Sequence, residues 1–303
     1  MPLVSVIVTT YNRKKLLKET INSILDQTYQ NFELIVVDNY SNYDFLSHIK
    51  TFDDNRINAY QNANDGIIAV NRNVGIKKAK GEYIAFCDDD DLWLPLKLEK
   101  QIKIIKDNNL KGVGSLMLRF NGNKIYGNKN SYRKYVDYFN FDDVLKKNMS
   151  VPLSSLLIKN DGNLFDENYK LTNVEDWDFQ IRLLKDGGFI GKINQPLIKY
   201  RVSDLGYTEK KLNSIYLLSN YKNYFTEVEY NKSLSRYYKM IGFGYMLNGN
   251  KKEAINFLSL VNYTSHDSTI YVSSLLKIMP NFIFIIIYQF YFILRKIYKL
   301  NIK

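Results

Sequence analysis

The chain has 303 residues, 46% hydrophobic and 24% charged, enough apolar material for a packed core and too much for a disordered chain. Lys and Arg number 42 against 31 Asp and Glu, and the resulting net charge of +11 suits an anionic partner: nucleic acid, anionic lipid or a phosphate-bearing substrate. With no basic–aromatic helix, zinc-finger spacing or RNA-binding signature, nucleic acid is set aside; the single cysteine, Cys87, rules out an intramolecular disulfide, and the isolated His48 and His266 argue against zinc.

Met1-Pro2-Leu3 carries no basic segment ahead of its apolar run, so the start of the chain reads as a first strand rather than a signal peptide, and with the lone cysteine this points to the cytoplasm. Val4 to Thr10 is a β-branched run of the kind found in buried parallel strands. Asn12 is placed to cap the next helix, in which Leu16/Leu17, Thr20/Ile21 and Ile24/Leu25 form one apolar stripe. Phe32 to Val37 is a second strand ending at Asp38, and Arg56 to Tyr60 a third. Gly66 to Lys80 is helical, Tyr83 to Phe86 a fourth strand running into Asp88-Asp89-Asp90-Asp91, and Leu96 to Asp107 a further helix. This alternation predicts an α/β fold, a Rossmann-like, mostly parallel sheet flanked by helices, with ligands beyond the carboxyl ends of the strands. Asp38 and the Asp88 cluster are therefore expected to share a cleft.

Beyond residue 110 the pattern weakens. Lys111 to Arg119 and Val151 to Ile158 read as strands, Asn121 to Tyr138 as loop, Glu175 to Lys185 as a helix with Trp177, Ile181 and Leu184 on one face, and Phe189 to Tyr200 as a returning strand. The expected division is a catalytic domain over 1–206 and a helical appendix over 207–303. Within the appendix, Ser235 to Leu247 and Lys251 to Tyr263 flank Asn248-Gly249-Asn250 and resemble one tetratricopeptide-like hairpin. The tail, about 278–303, holds the apolar aromatic run Phe282 to Leu294 followed by Arg295-Lys296. From Lys277 onward it has five basic residues and no acidic one. It is short for a spanning helix; an interfacial segment on an anionic leaflet is favoured over a buried terminal helix.

The acidic run at 88–91 follows a buried strand directly, where a solvated patch is out of place. Carboxylates there suit a hard cation shared with substrate phosphates; the competing reading is a loop that caps the next helix, a role that fits Asp91. Asp176 opens a helix, where the dipole lowers its pKa, while burial beside Trp177 raises it; it is a base or one of a capping pair. Arg72 is either a phosphate fork or a surface side chain. Gly112-Val113-Gly114 lacks the third glycine of a dinucleotide loop, position 117 being Met117, and no phosphate loop of the Walker type occurs.

Taken together in this order, Val4-Ser5-Val6-Ile7-Val8-Thr9-Thr10-Tyr11-Asn12-Arg13, Ile24 to Tyr29, Phe32 to Asp38, Asn71-Arg72-Asn73-Val74-Gly75 and Gly81 to Asp91 resemble glycosyltransferase family 2, inverting enzymes with the GT-A fold, over residues 3 to about 205. The resemblance implies a nucleotide-diphospho-sugar donor, UDP-sugar favoured and dTDP-sugar the second candidate, and a divalent cation, Mn²⁺ or Mg²⁺. It places Thr9, Tyr11, Asp38 and Asn39 at the base, Arg72 at the nucleotide or diphosphate, and Asp88 and Asp89 on the donor. Asp90 would sit on the metal, Asp176 would be the catalytic base, and Glu175 and Trp177 would face the acceptor. Two departures stand out: Asn39 replaces a carboxylate common in relatives, and Tyr200-Arg201 is followed by Val202-Ser203-Asp204 where relatives often carry a histidine, leaving Arg201 and Asp204 as candidates on that side. Resemblance and tail together imply a lipid-linked glycan acceptor in surface polysaccharide synthesis and a peripheral place at the cytoplasmic face of the inner membrane. The acceptor side also admits a protein or soluble substrate, and a non-catalytic sugar-binding module is the third reading.

Overall fold

The computed structural model describes residues 1–122, 124–126, 135–202 and 212–261, with Lys277, Met279, Pro280, Ile283 and Phe284. The chain forms two compact units, Met1–Asp204 and Leu205–Lys303.

The first unit follows the order β1 (Val4–Thr10), α1 (Lys14–Leu25), β2 (Phe32–Asp38), α2 (Phe45–Lys50), β3 (Ile57–Gln61), α3 (Ile68–Lys78), β4 (Tyr83–Asp88), β5 (Leu92–Trp93), α4 (Lys97–Asp107), β6 (Gly112–Asn121), β7 (Lys124–Tyr126), β8 (Val136–Phe139), α5 (Phe141–Lys147), β9 (Leu157–Lys159), α6 (Glu175–Leu183) and β10 (Ile190–Arg201). One sheet carries the strands in the order β3-β2-β1-β4-β9-β6-β10-β5, with β7 on β6 and β8 on β10. The long pairings are parallel and the short ones, through β5, β7, β8 and β9, antiparallel, so the sheet is mostly parallel.

Alternation along the strands explains why both faces are covered. Val4, Val6 and Val8 share a core with Leu17, Ile21 and Ile24 of α1 and Leu98, Ile102 and Ile105 of α4. Ile7 faces the other way, onto α3, where Gly75 admits it so closely that a β-carbon there would stand 2.5 Å from Ile7 Cγ2. Phe86, on the same side, meets Phe165 and Phe179 edge-on. Each such fully buried aliphatic or aromatic side chain contributes roughly 1.5–3 kcal/mol. The register sets Thr9 opposite Asp88 and Thr10 opposite Asp38, which brings both acidic strand ends to one rim.

Several sequence expectations are corrected. Asn12 does not cap α1: it stands at φ 56°, its side chain accepting from Asn42 N–H at 2.7 Å, and the cap position falls to Arg13. Val151 to Ile158 is strand only from Leu157, because Pro152 initiates a single 3₁₀ turn over Leu153–Ser155. The loop expected over Asn121 to Tyr138 contains β7 and most of β8, whose ladders come from distant partners. Helices α2 and α5 were not anticipated, although Asn140 and Asp143 form a reciprocal capping box at the start of α5.

The second unit contains α7 (Leu212–Asn220), α8 (Glu227–Leu247) and α9 (Lys251–Ser259). The anticipated hairpin is α8–α9, turned at Gly249 with φ 78° and packed where Gly242 admits Leu258. Phe284 is buried with Ala254 and Leu258, and Lys251 donates to the Met279 carbonyl. The remainder of the tail, and Asp204, lie outside the described residues. Among the described residues no helix is long and apolar enough to cross a membrane.

Candidate active site

The site is built on the carboxyl ends of β1, β2 and β4, on the start of α6 and on the last residues of β10. Asp88 is the final residue of β4; its N–H donates to Ser154 Oγ at 3.0 Å and its Oδ1 accepts from Arg72 Nη2 at 3.1 Å. Arg72 projects from α3, is buried, and donates through Nη1 to Glu175 Oε1 at 2.7 Å. One guanidinium therefore joins the end of β4 to the first turn of α6, reaching a carboxylate 103 residues from Arg72 itself. Glu175 is buried and its second oxygen has no hydrogen-bond partner. Asp176 follows it, with a pKa pushed up to about 7, first by burial and then by the Glu175 charge, while Arg72 pulls the other way. The net direction is upward although Trp177 N–H, at the helix start, donates to Asp176 Oδ1 at 2.8 Å and pulls the other way.

The turn after β4 carries three more carboxylates. Asp89 is buried, accepts from Thr10 Oγ1 at 2.7 Å and from Arg13 Nη1 at 2.9 Å, and is raised to about 6 by burial despite both donors. Asp90 accepts from the same Arg13 nitrogen at 2.9 Å; burial and then the Asp88 charge raise its pKa. Asp91 is fully buried and reaches about 8, from burial and then the Asp88 charge. Its Oδ1 accepts from Arg201 N–H at 2.9 Å and its carbonyl accepts from Thr20. Asp91 does not cap the next helix, since α4 begins at Lys97 with Leu96 in the cap position and no side-chain cap.

The other expected residues divide by environment. Asp38 is fully buried and occupied: Ser41 N–H and Gln61 Nε2 donate to Oδ2 at 2.9 and 3.0 Å, and Ser41 Oγ donates to Oδ1. It shapes the loop after β2 instead of presenting a free carboxylate. Asn39 Oδ1 accepts from Asn64 N–H at 3.0 Å. Thr9 is buried opposite Asp88, whereas Tyr11 is exposed at the rim. Arg72 was expected at the nucleotide, yet both its terminal nitrogens are spent on protein carboxylates. Trp177 was expected on the acceptor side, but it is buried with its indole N–H donating to the Val144 carbonyl at 2.8 Å, an anchor between α6 and α5. Arg201 locks the acidic turn: Nε donates to the Asp90 carbonyl at 2.9 Å and Nη2 reaches Glu19 at 2.6 Å.

The sequence reading missed Thr10, Arg13, Ser154 and Tyr200. The Tyr200 hydroxyl is pushed up to about 12 by burial and then by the charges of Asp91, Asp88, Asp90 and Asp176, and so stays neutral. Arg13 was findable: consecutive carboxylates at a strand end require counter-ions, and the loop after the neighbouring strand supplies an arginine.

A carboxylate rim at the carboxyl ends of a mostly parallel sheet, with a carboxyl group of near-neutral pKa beside it, is the arrangement of a GT-A nucleotide-sugar transferase. The family described as Glycosyl transferase family 2 matches residues 5–157, and the chain belongs to it; it is a glycosyltransferase. The UDP-Glc:alpha-D-GlcNAc-diphosphoundecaprenol beta-1,3-glucosyltransferase WfgD of Escherichia coli is 30% identical over 258 residues, 84% of this chain and 96% of that protein. The solved structure of S. aureus TarS 1-349 in complex with UDP-GlcNAc matches at TM-score 0.63 and 19% identity, over 85% of this chain and 81% of that one. The mannosyltransferase PcManGT from Pyrobaculum calidifontis, in complex with GDP-Man and Mn²⁺, matches at TM-score 0.54 and 18% identity, over 90% and 79%. At these identities the structural matches speak for the fold.

Proposed function

We propose that the chain moves a sugar, with inversion, from a UDP-sugar to a hydroxyl of a lipid-linked glycan in surface polysaccharide biosynthesis, working at the cytoplasmic face of the inner membrane. The observation that carries this reading is the Arg72 bridge, which sets the Asp88 rim beside the Glu175–Asp176 pair. The donor and acceptor classes are supported by the WfgD relative, whose name gives a UDP-glucose donor and a diphosphoundecaprenol-linked GlcNAc acceptor. The basic aromatic tail supports the membrane location.

Asp176 is the base. Near neutrality its carboxylate is populated and still holds a proton well, the compromise that general base catalysis asks for. It takes the proton of the acceptor hydroxyl as that oxygen attacks the anomeric carbon; the leaving diphosphate departs from the opposite face. The nucleotide lies against Thr9, Tyr11 and the loops shaped by Asp38 and Asn39. A divalent cation fits the rim. Six carboxylates, Asp88 to Asp91 with Glu175 and Asp176, face three arginines, and four of the six have raised pKa values. Among the described residues no group of three His, Cys, Asp or Glu side chains is arranged to hold a metal by itself. Asp90, with Asp88 beside it, supplies the one or two hard donors that Mg²⁺ or Mn²⁺ takes when diphosphate oxygens and water complete the shell. When bound, the cation offsets the charge that builds on the departing diphosphate.

The test is a donor screen by nucleoside diphosphate release, with and without Mn²⁺ or Mg²⁺, on a lipid-diphosphate sugar acceptor. Asp176→Asn should lose about 10²–10⁴-fold in kcat while still binding UDP. Transfer by Asp176→Asn at the wild-type rate would remove the assignment.

A further inference from the structure

Arg13 Nη1 stands 2.9 Å from both Asp89 Oδ1 and Asp90 Oδ2, but the two carboxylates are not equivalent. Asp89, with a side chain 7% exposed, is also held by Thr10 and belongs to the wall of the site. Asp90, 26% exposed, opens toward solvent, and Arg13 itself is 49% exposed. The position from which Arg13 reaches is fixed from behind. Asn12 N–H donates to Ser41 Oγ at 2.8 Å, Asn42 N–H donates to Asn12 Oδ1 at 2.7 Å, and Ser41 Oγ donates to the buried Asp38. The chain just before Arg13 is thus tied to the carboxylate that ends β2.

A guanidinium and a divalent cation seek the same carboxylate oxygens. We propose that Arg13 is a resident counter-ion that competes with the divalent cation for Asp90, and so sets how tightly the metal is held, staying anchored on Asp89 when it yields Asp90. This rests on the metal reading above. Asp89 is what makes the exchange workable: the guanidinium keeps one charged partner throughout, so releasing Asp90 does not strand a cation. Cation binding is then strengthened by the extra negative charge that a nucleoside diphosphate brings, which favours joint arrival of metal and donor.

The experiment is a titration of Mn²⁺ into the full chain without donor, reading free Mn²⁺ by electron paramagnetic resonance. Arg13→Gln removes a positive charge a few ångströms from the cation at a part-exposed site and should bind Mn²⁺ about tenfold more tightly than wild type. Arg13→Lys keeps the charge and should stay within about threefold of wild type. Asp90→Asn should lose binding. If Asp90→Asn binds like wild type, or no protein binds Mn²⁺, the metal reading fails and this inference with it. If Asp90→Asn loses binding while Arg13→Gln is equal to or weaker than wild type, only the role of Arg13 is overturned. A second measurement keeps wild-type protein: the Arg13 Nε–H resonance, identified by its absence from Arg13→Lys, should move as Mg²⁺ is added, and a fixed resonance overturns the competition.

Discussion

Lys97 should make this protein less stable than it would be with an apolar residue there, and by an amount that depends on pH. It is fully buried at the start of α4; its Nζ has no hydrogen-bond partner and lies 3.7 Å from the centre of the Trp93 ring. Burial lowers its pKa from 10.5 to about 7. A drop of that size corresponds to roughly 5 kcal/mol favouring the unfolded chain at pH values where the lysine is charged in both states. The sign follows from proton counts. Between about 7 and 10.5 the unfolded chain holds the Lys97 proton and the folded protein does not, so stability rises with pH across that window, and below about 7 the penalty is at its full size. Lys97→Met retains most of the packing, removes the charge, and forfeits an ammonium–indole attraction of about 1–2 kcal/mol. The net expectation at pH 7 is a gain of about 2–3 kcal/mol, or roughly 5 °C in Tm for a chain of this size. Urea unfolding of both proteins at intervals from pH 6.5 to 10 measures it: the advantage of the methionine variant should shrink as pH rises. A variant less stable than wild type at pH 7, or an advantage that does not change with pH, refutes the reasoning.

The same electrostatics governs activity. Because Asp176 must be ionised to accept a proton, kcat/KM should climb through a midpoint near 7 and level off on the alkaline side, as read by nucleoside diphosphate release from pH 5.5 to 9; a midpoint in the ordinary carboxylate range would contradict the assignment of Asp176 as the base. Arg72→Met strands Asp88 and Glu175, so unfolding free energy should drop by about 3–5 kcal/mol, and with the cation gone the activity midpoint should shift further up; an unchanged melt would show that the bridge is dispensable. Gly81→Ala would put a β-carbon 2.6 Å from Ser5 N and 2.8 Å from Leu3 O, backbone atoms with little room to move, and should cost about 1–3 kcal/mol by thermal melting.

The sequence by itself determined the strand–helix alternation from Val4 to Asp107, apart from the short α2 and β5, and the two acidic strand ends, because burial periodicity and short apolar runs are local properties that survive without the fold. Of the expected stripe, Leu17, Thr20, Ile21 and Ile24 are buried, with Leu16 and Leu25 half-buried at its edges. The division of labour among the charges was decided only in three dimensions. Asp38 and Asp88 looked alike as acidic residues at strand ends, yet one is enclosed by Ser41 and Gln61 and the other stands at the rim, because β2 and β4 flank β1 and are followed by different loops. Arg72 and Arg201 read as open cations and became internal braces, since α3 and β10 deliver them to carboxylates 103 and 182 residues away. Likewise β7 and β8 carry no strand signal of their own and exist because β6 and β10 offer them edges. A residue type fixes which proton or charge is on offer; the environment that sets its affinity is assembled from segments far apart in the chain, and only the packed structure brings them together.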